Sequence, residues 1–450
     1  MIATLLLAAV TTVAPPMTLG DAISFALDHN PAVAQQYAAV QSAEHSLAVA
    51  RGTALPTVNG SLQSYMQKNS NYGGIYEIIG EQQQSVFSQN TAQIGTNYTL
   101  DTGGLSFLQL ASARASAEQA EETLANTEDQ IATNVTSAFY DVVQKRAIVD
   151  VDVSDLQYQN VLVDAARAKE KAGVAAGVDV LRAEVAQAKS ASTLVGARAD
   201  VENAQENLAQ SIGASLDQRF TFPKTIAEPG LPAQSVDTLE DIALNARPDV
   251  KAARDGVQAA LFTRKGWDRE LFPQVQLSAS FGNQFAPTSA GEVIGVTSSG
   301  SLVTLPRGAP GFWSLGMTST FTLPLVDWGQ RHAERVSDDA QVTSAQRALD
   351  QARTQVLVDV RQTYRAAQTA LAQLSYARDE SRLGTESARI AQLQYARGLI
   401  ALSDVIQAQQ QSVTAQSDLV SARVSYVDAI VKLRVSLGTY TAQSAVADLK

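Results

Sequence analysis

The chain has 450 residues, of which 45% are hydrophobic, 18% charged and only 6% aromatic, and its net charge is −11. The acidic balance argues against nucleic acid as a partner, because no basic surface is available to neutralise phosphates. The lack of cysteine excludes disulfides and thiolate metal sites. Many small and few aromatic residues favour long helices packed through Ala and Ser over a large globular core.

An apolar run, MIATLLLAAV, opens the chain at residues 1–10. Its length suits the core of a signal peptide and falls short of the roughly 20 residues that a membrane-spanning helix needs. The basic residues that usually precede such a core are missing, since the first Lys or Arg is Arg51. We therefore predict a signal peptide with an atypical leader at residues 1–17, with a disordered apolar tip as the alternative. No longer apolar run follows, which argues against a helical membrane protein.

The chain contains one pattern twice. A shift of 217 positions aligns Pro56 with Pro273, and a shift of 225 positions aligns Gly173 with Gly398. The opening motif at Thr18 is matched to Thr238-Leu239 in the second half. Each copy predicts a helix, two strands, a very long helix, a tight turn and a long helix. The predicted organisation is a first repeat at 18–213, a linker at 214–237, a second repeat at 238–438 and a tail at 439–450.

Four segments alternate apolar and polar residues with a period of two. Each is about ten residues long and uncharged, which is typical of strands in a membrane β-barrel. A half-buried soluble sheet shows the same alternation and stays the alternative. Four strands cannot close a barrel, because an open edge in lipid leaves backbone groups unpaired, so several chains are expected to contribute. The apolar members are Val58, Leu62 and Met66; Ile94, Tyr98 and Leu100; Val275, Leu277, Ala279 and Phe281; and Trp313, Leu315, Met317, Phe321 and Leu323.

The helical segments have coiled-coil spacing. Helical patterning from Leu105 to Lys171 covers about 65 residues, or roughly 100 Å. Two neighbouring seams indicate that the last helix packs against neighbours on both sides. The stripe after Asp179 is Leu181, Val185, Ala188, Ser192, Val195 and Ala199, and one of the stripes after Asp404 is Ile406, Val413, Val420 and Val427.

Taken in order, these motifs resemble the TolC family of outer-membrane efflux and secretion channels. The resemblance covers essentially residues 18–440 and implies an α+β membrane protein located in the outer membrane and extending into the periplasm. It implies a homotrimer in which four strands per protomer form a twelve-stranded barrel, continuous with a periplasmic α-helical coiled-coil barrel. The matching motifs are the opening helix at 18–31, the corners Leu55-Pro56 and Phe272-Pro273, the returns at 101–104 and 327–329, and the tips at 172–181 and 397–406.

The resemblance also implies a gate at the periplasmic end. By position, Asp404 is similar to a member of the family's carboxylate ring, and Asp179 and Tyr395 are similar to the polar link that holds neighbouring tips closed. This sequence departs from the pattern at Ile400, where a gating arginine can sit, and at Gln407, which replaces a second ring carboxylate. The alternative is that each aspartate is the N-cap of the helix it opens.

Docking of partners is expected at the hairpin tips. The residues that the resemblance places there are Gly173, Val174, Gly398 and Leu399. The implied partners are a periplasmic adaptor protein, an inner-membrane pump and outer-membrane lipid.

No motif indicates catalysis or a bound cofactor. His29, His45 and His332 are isolated, and no phosphate-binding glycine loop or nucleophile elbow is present. We therefore expect no cofactor, no metal and no enzyme activity. The predicted function is a passive exit duct for a tripartite efflux pump or a type I secretion system, opened when partners dock at the tips. The alternative is a periplasmic coiled-coil adaptor or scaffold, which would normally carry one hairpin. The sequence leaves the exported cargo open.

Overall fold

The structure is a computed structural model that describes residues 18–71, 83–216, 220, 222–223, 228–269, 272–285, 293–296, 302–304, 312–320, 326 and 328–440. The predicted signal peptide at residues 1–17 lies outside the described residues. So do the predicted strand positions Phe321 and Leu323, part of the predicted linker and most of the predicted tail.

The order of elements repeats in the two halves of the chain. The first half has α1 (Leu19–His29), α2 (Pro31–Thr53), β1 (Thr57–Asn71), β2 (Gln83–Asp101), α3 (Leu105–Lys171) and α4 (Gly177–Ile212). The second half has α5 (Val236–Ala246), α6 (Pro248–Arg269), β3 (Gln274–Phe285), a small hairpin of β4 (Val293–Val296) and β5 (Leu302–Thr304), β6 (Phe312–Thr320), α7 (Gln330–Ala396) and α8 (Leu402–Ser436). The predicted long helix from Leu105 to Lys171 is confirmed.

The single opening helix predicted for each half is two helices. Asn30 and Arg247 are extended, with ψ of 126° and 129°. Each precedes a proline, whose ring disfavours the helical conformation of the residue before it. Pro31 and Pro248 then begin α2 and α6, because a proline is tolerated in the first turn of a helix.

The caps of α1 and α5 correct one part of the internal alignment. Thr18 and Asp21 form a capping box at the start of α1, and the side chain of Ser235 accepts from the Thr238 amide at the start of α5. The shift of 217 positions therefore aligns the two caps, Thr18 and Ser235, and the predicted match of Thr18 to Thr238 was wrong. The predicted match was displaced by three residues. Three residues are close to one helical turn, so the apolar residues of a helix look almost equally well aligned after such a displacement.

The chain divides into two compact units. One, here called the hairpin unit, comprises the described residues up to Gln41, Glu118–Asp255 and those from Gln346 onward. The other, the sheet unit, comprises Ser42–Ala117 and Gly256–Ala345.

The hairpin unit has a repeated core. Ile23 of α1 is buried with Leu208 and Ile212 of α4. In the second half, Leu239 of α5 is buried with Ile430 of α8 in the same manner. Each short helix thus covers the base of one helical hairpin, and each fully buried Leu or Ile contributes about 1.5–3 kcal/mol. Among the described residues, no helix combines the length and apolar character needed to cross a bilayer.

The sheet unit has a four-stranded antiparallel sheet in the order β1-β2-β3-β6. Its register pairs Ile94 with Phe281, Tyr98 with Leu277, and Ala279 with Leu315. All the predicted apolar strand positions that fall in the described strands therefore share one face, and the alternating polar positions share the other. The strands β1 and β6 are the two edges, and neither has a second partner among the described strands.

Candidate gate and docking site at the hairpin tips

Both helical hairpins end in the same turn. The amides of Gly173 and Val174 donate to carbonyl groups in the last turn of α3, at 2.8 and 3.0 Å. The amides of Gly398 and Leu399 donate to carbonyl groups in the last turn of α7, at 3.0 and 2.9 Å. The two glycines have φ of 73° and 74°, a left-handed conformation that a side chain would strain. The four residues predicted to dock partners thus lie in two matching turns.

The two candidate gate aspartates lie just after these turns. Asp179 and Asp404 are each the third residue of a helix, and the N-cap positions are Ala176 and Ala401, which make no side-chain capping bond. The alternative prediction that the aspartates are N-caps is therefore wrong, because both helices begin directly after the turn, three residues earlier than such a cap allows. Both aspartates still lie in the first turn of a helix, where an acidic residue stabilises the helix through its dipole.

The ends of all four long helices share one buried apolar cluster. Its members come from α3, α4, α7 and α8, so the two hairpins are joined at their tips within one protomer. Ile400, at the position where the resemblance implies a gating arginine, is half-buried against this cluster. The buried members are Leu162, Val163, Ala166, Val180, Ala183, Ala391, Tyr395, Leu402, Val405 and Ala408.

Tyr395 is the polar member of this cluster. It is only 7% exposed, and its hydroxyl has no hydrogen-bond partner among the described residues. Burial raises the pKa of the Tyr395 hydroxyl, and the nearby negative charge of Asp179 raises it further. The Asp179 carboxylate is thus near the hydroxyl but not bonded to it, and it pairs instead with Arg182 at 3.5 Å.

Lys169 is a tip residue that the sequence analysis missed. Its ammonium donates to the carbonyl oxygen of Tyr395 at 2.5 Å and lies 3.6 Å from the centre of the Tyr395 ring. It therefore ties the end of α3 to the end of α7. A lysine in the last turn of a helix, favoured there by the helix dipole, was the signal that could have pointed to it.

Asp404 differs from Asp179 in being exposed. Ser403 donates to its carboxylate at 3.3 Å, and Gln407, one turn further along α8, is also exposed. Both side chains are therefore available on the surface of a single protomer.

An apolar stripe on α4 is exposed near the tip. Val174 is 73% exposed and Leu399 is 68% exposed in the turns, and the predicted seam residues Leu181 and Val185 are exposed as well. A groove of about 510 Å³ runs beside this stripe, between α4 and the start of α8, and is lined by Leu181, Val185 and Ile406. The residues of the predicted seam thus share an exposed face of α4, and within one chain the helix packs through a different stripe that includes Val180 and Ala183.

Comparison with known proteins identifies the family. The family model described as "Outer membrane efflux protein" matches residues 22–214 and 239–439. This chain belongs to the outer membrane efflux protein family. The outer membrane efflux protein BepC of Brucella suis biovar 1 (strain 1330) is 26% identical over 421 residues, which cover 92% of this chain and 82% of BepC.

Solved structures have the same fold. The CmeC outer membrane channel of Campylobacter jejuni is similar with a TM-score of 0.77 and 15% identity, covering 96% of this chain and 90% of that chain. The outer membrane protein VceC of Vibrio cholerae is similar with a TM-score of 0.75 and 20% identity, covering 93% of this chain and 96% of that chain.

The family membership confirms three predictions. It confirms the resemblance to the TolC family, the outer-membrane location and the role as an exit duct for efflux. The family consists of outer-membrane channels and not of enzymes. Channels of this kind work with the other components of an efflux pump, which identifies the class of partner but not its members.

This efflux protein also has a buried polar layer that the sequence analysis missed. Asp155 of α3 accepts hydrogen bonds from Gln159 at 3.2 Å and from Gln409 of α8 at 3.0 Å. Asp152, one turn away, is 5% exposed, and one of its carboxylate oxygens has no partner among the described residues. Burial raises the pKa of Asp152, and the charge of Asp155 raises it further. Within the described ranges, no group of three or more acidic, histidine or cysteine side chains is arranged to hold a metal ion.

Proposed function

We propose that this chain is one protomer of a homotrimeric, passive export duct. The duct serves a tripartite efflux pump or a type I secretion system, and it opens when a periplasmic adaptor and an inner-membrane pump dock at the hairpin tips. The observation that carries this proposal is the sheet, which has an apolar face with exposed residues and, among the described strands, two edges without a partner strand.

The sheet of one chain is incomplete in lipid. Leu62, Ile94 and Leu315 are all exposed on its apolar face, and a bilayer is the environment that removes such a face from water. The open edges of β1 and β6 would leave backbone groups unpaired in that environment. Three copies supply twelve strands. Each edge strand of one chain then pairs with an edge strand of the next chain, and all three chains have equivalent contacts.

Extraction behaviour tests this assembly. We expect the protein to require detergent for extraction from outer membranes and to migrate as a trimer under mild denaturant. A monomer that stays in solution without detergent would contradict the proposal. It would favour the alternative of a periplasmic adaptor or scaffold.

The proposed gate is a ring of Asp404 side chains. In a trimer the exposed Asp404 carboxylate occurs three times around one axis, and such a ring attracts cations and repels anions. With Gln407 in place of a second ring carboxylate, Asp404 would be the main source of this charge. Multivalent cations would bind best, because each meets several carboxylates together.

Single-channel recording of Asp404→Asn tests this gate. The variant should lose cation preference and become less sensitive to block by trivalent cations, with unchanged trimer stability. Asp418→Asn is the matched control, because Asp418 is exposed on the same helix, two heptads further along. If both variants lost selectivity equally, or if neither lost it, Asp404 would not form the gate.

The proposed docking surface is the pair of tips with the adjoining apolar stripe. Leu399 is exposed in a turn that one protomer leaves uncovered, and an adaptor helix could cover it. We expect Leu399→Asp to abolish export and to leave trimer formation and membrane insertion intact. Leu383→Asp is the control, because Leu383 is also exposed but lies on α7, more than four turns from the turn at Leu399. Persisting export in Leu399→Asp would locate docking elsewhere.

A further inference from the structure

We propose that the inner wall of the duct has, next to the sheet, a binding pocket for small amphiphilic aromatic compounds in transit, with Trp267 as its main contact. The pocket lies between α3 and α6, so a trimer has three of them at one level. The inference rests on the proposed function, because an inner wall exists only where copies of the chain close into a duct. It names the class of cargo that the sequence leaves open.

A cavity of about 420 Å³ lies between α3 and α6, close to the ends of β2 and β3. Its volume falls within the roughly 300–1,000 Å³ that is usual for sites that bind small molecules. The largest side chains in its lining are Leu105, Phe262 and Trp267. None of the described residues that line it is charged, so the part of a ligand that enters it is uncharged.

The polar atoms of the wall are bonded to one another. The hydroxyl oxygens of Ser112 and Thr263 lie 2.9 Å apart, and Ser112 also lies 3.1 Å from the Ala259 carbonyl oxygen. Leu105 approaches Gly266 so closely that a Cβ on the glycine would lie 3.2 Å from its Cδ1. The two helices are thus held together beside the cavity, and no side chain of the wall needs the cavity for a hydrogen bond.

The two neighbours of α6 show which way the cavity opens. Gly266 faces α3, where Leu105 approaches it. Arg264 faces α7, because it donates to the Asp339 carboxylate at 2.9 Å. Gly266 and Arg264 are two positions apart, so the arc between the two neighbours is about 160° on one side of α6 and about 200° on the other. In a closed ring of helices the narrower arc is the inner side, because the neighbours of each helix bend towards the centre.

The cavity lies on the narrower side of α6. Trp267 and Thr263, which line the cavity, are about 100° and 60° from Gly266 within the narrower arc. Lys265 and Arg269 lie in the wider arc, and both are exposed. The inner side of α6 therefore has the cavity, and the outer side has the two cations.

The residues of α3 divide in the same way. Gln109 and Ala113 line the cavity and are one turn apart on one side of the helix. Phe107 and Arg114 lie on the other side, where both are exposed. Both walls of the cavity thus face the inside of the proposed ring.

The lining selects an aromatic compound with a polar end. Trp267 offers a large ring on which another ring stacks, and the face of an indole also attracts a cation. Gln109 is exposed, and its amide both donates and accepts hydrogen bonds. A ligand can therefore place its ring against Trp267 and its polar or cationic end in the water of the duct. The proposed ring of Asp404 carboxylates admits cations in preference, which suits the same class of compound.

Fluorescence titration with N-phenylnaphthylamine tests the pocket. This aromatic amine absorbs where tryptophan emits, so a bound molecule accepts energy from Trp267 in a chain with Trp313→Phe and Trp328→Phe. The trimer is studied in lipid nanodiscs, where partition of the probe into lipid gives a background that does not saturate. We expect saturable energy transfer above that background, with one probe bound per protomer.

Two matched variants show where the probe binds. Ala113→Phe places a ring in the cavity and should abolish the saturable part of the signal. Ala111→Phe is the control, because Ala111 does not line the cavity and lies about 200° around the same helix. If Ala113→Phe fails to assemble, Trp267→Leu replaces it, and the emission of the probe itself is measured. That emission should then lose its saturable part.

Thiol labelling tests which way the cavity faces, without background because the chain has no cysteine. Thr263→Cys and Lys265→Cys are both exposed positions, two residues apart on opposite sides of α6. Single-channel conductance is recorded while a maleimide that carries a polyethylene glycol chain is added. We expect stepwise loss of conductance for Thr263→Cys alone, with a gain in mass showing that both variants react.

The outcomes separate this inference from the proposed function. A conducting trimer without saturable probe binding, or with equal binding in the Ala113→Phe and Ala111→Phe variants, overturns the inference and leaves the duct standing. So does a conductance that falls when Lys265→Cys is labelled and not when Thr263→Cys is labelled. A protein that remains monomeric in lipid overturns both proposals.

Discussion

The hairpin tips and the sheet treat their apolar residues in opposite ways. At the tips, apolar side chains from four helices are buried against one another inside a single chain. In the sheet, the apolar positions share one face, on which Leu62, Ile94 and Leu315 remain exposed. One region is therefore completed by the chain itself, whereas the other, under the proposed function, is completed by lipid and by further copies.

The largest expected effect comes from removing a buried side chain at the tips. Leu402 is 1% exposed in the tip cluster, and Leu402→Ala should cost about 2–5 kcal/mol through lost burial and a residual cavity. Hydrogen exchange in the first turns of α8 should accelerate accordingly. Leu399→Ala, three residues away and exposed, should change stability by about 0.5 kcal/mol or less. Similar exchange in both variants would show that the tip core is not what holds the hairpins together.

A charge on the apolar face of the sheet should have a comparable or smaller effect. Leu277→Arg places a cation on the face assigned to lipid, which costs about 2–4 kcal/mol near the middle of a bilayer. Gln276→Arg changes the neighbouring residue at almost the same depth but on the polar face. The yield of heat-stable trimer in outer membranes should fall for Leu277→Arg alone. Equal yields would mean that the apolar face does not contact lipid.

The buried carboxyl of Asp152 predicts a pH dependence. Its raised pKa means that the folded protein binds the proton more tightly than the unfolded chain, whose aspartates have a pKa of about 3.9. The associated stability is fully present below that pKa and is lost as the pH rises through the folded pKa. Asp152→Asn should therefore stabilise the protein at pH 7, on the order of 1 kcal/mol, with the gain shrinking towards pH 4.

Urea unfolding at several pH values measures this gain. Asp150→Asn is the control, because Asp150 is exposed two residues away on the same helix. A gain in Asp152→Asn that does not vary with pH would show that the proton is not involved.

The smallest effect is expected at the proposed link between tips. Tyr395→Phe removes a buried hydroxyl that has no partner within the described part of one protomer, so the stability of the protomer should hardly change. If Asp179 accepts a bond from this hydroxyl in the closed duct, the loss of about 0.5–1.5 kcal/mol should raise resting conductance several-fold. Asp179→Ala should act in the same direction. Unchanged conductance in both variants would restrict Tyr395 to a packing role.

The sequence predicted best the features that depend on local pattern. The helix from Leu105 to Lys171 and the two faces of the sheet follow from periodicity, which is repeated along each element. Helix ends were less predictable. Ala176 caps α4 where a polar residue is usual, and the break before Pro31 was missed because the apolar pattern continues across it.

Contacts between distant helices could not be predicted at all. Lys169 bonds to Tyr395, 226 positions away, and Asp155 bonds to Gln409, 254 positions away. No spacing along the chain encodes such pairs, because they depend on how separate helices pack. The duplication is the exception, since it relates distant positions by a fixed shift.

The pairing of β2 with β3 has a consequence for the order of folding. It joins Leu100 to Val275, 175 positions apart, whereas each helical hairpin turns within the few residues between Lys171 and Gly177 or between Ala396 and Leu402. Closing a short turn costs little chain entropy and is fast, while a contact of high sequence separation is slow. We expect the hairpins to form first on the newly exported chain, so that the unpaired strands spend the longest time exposed to misassembly.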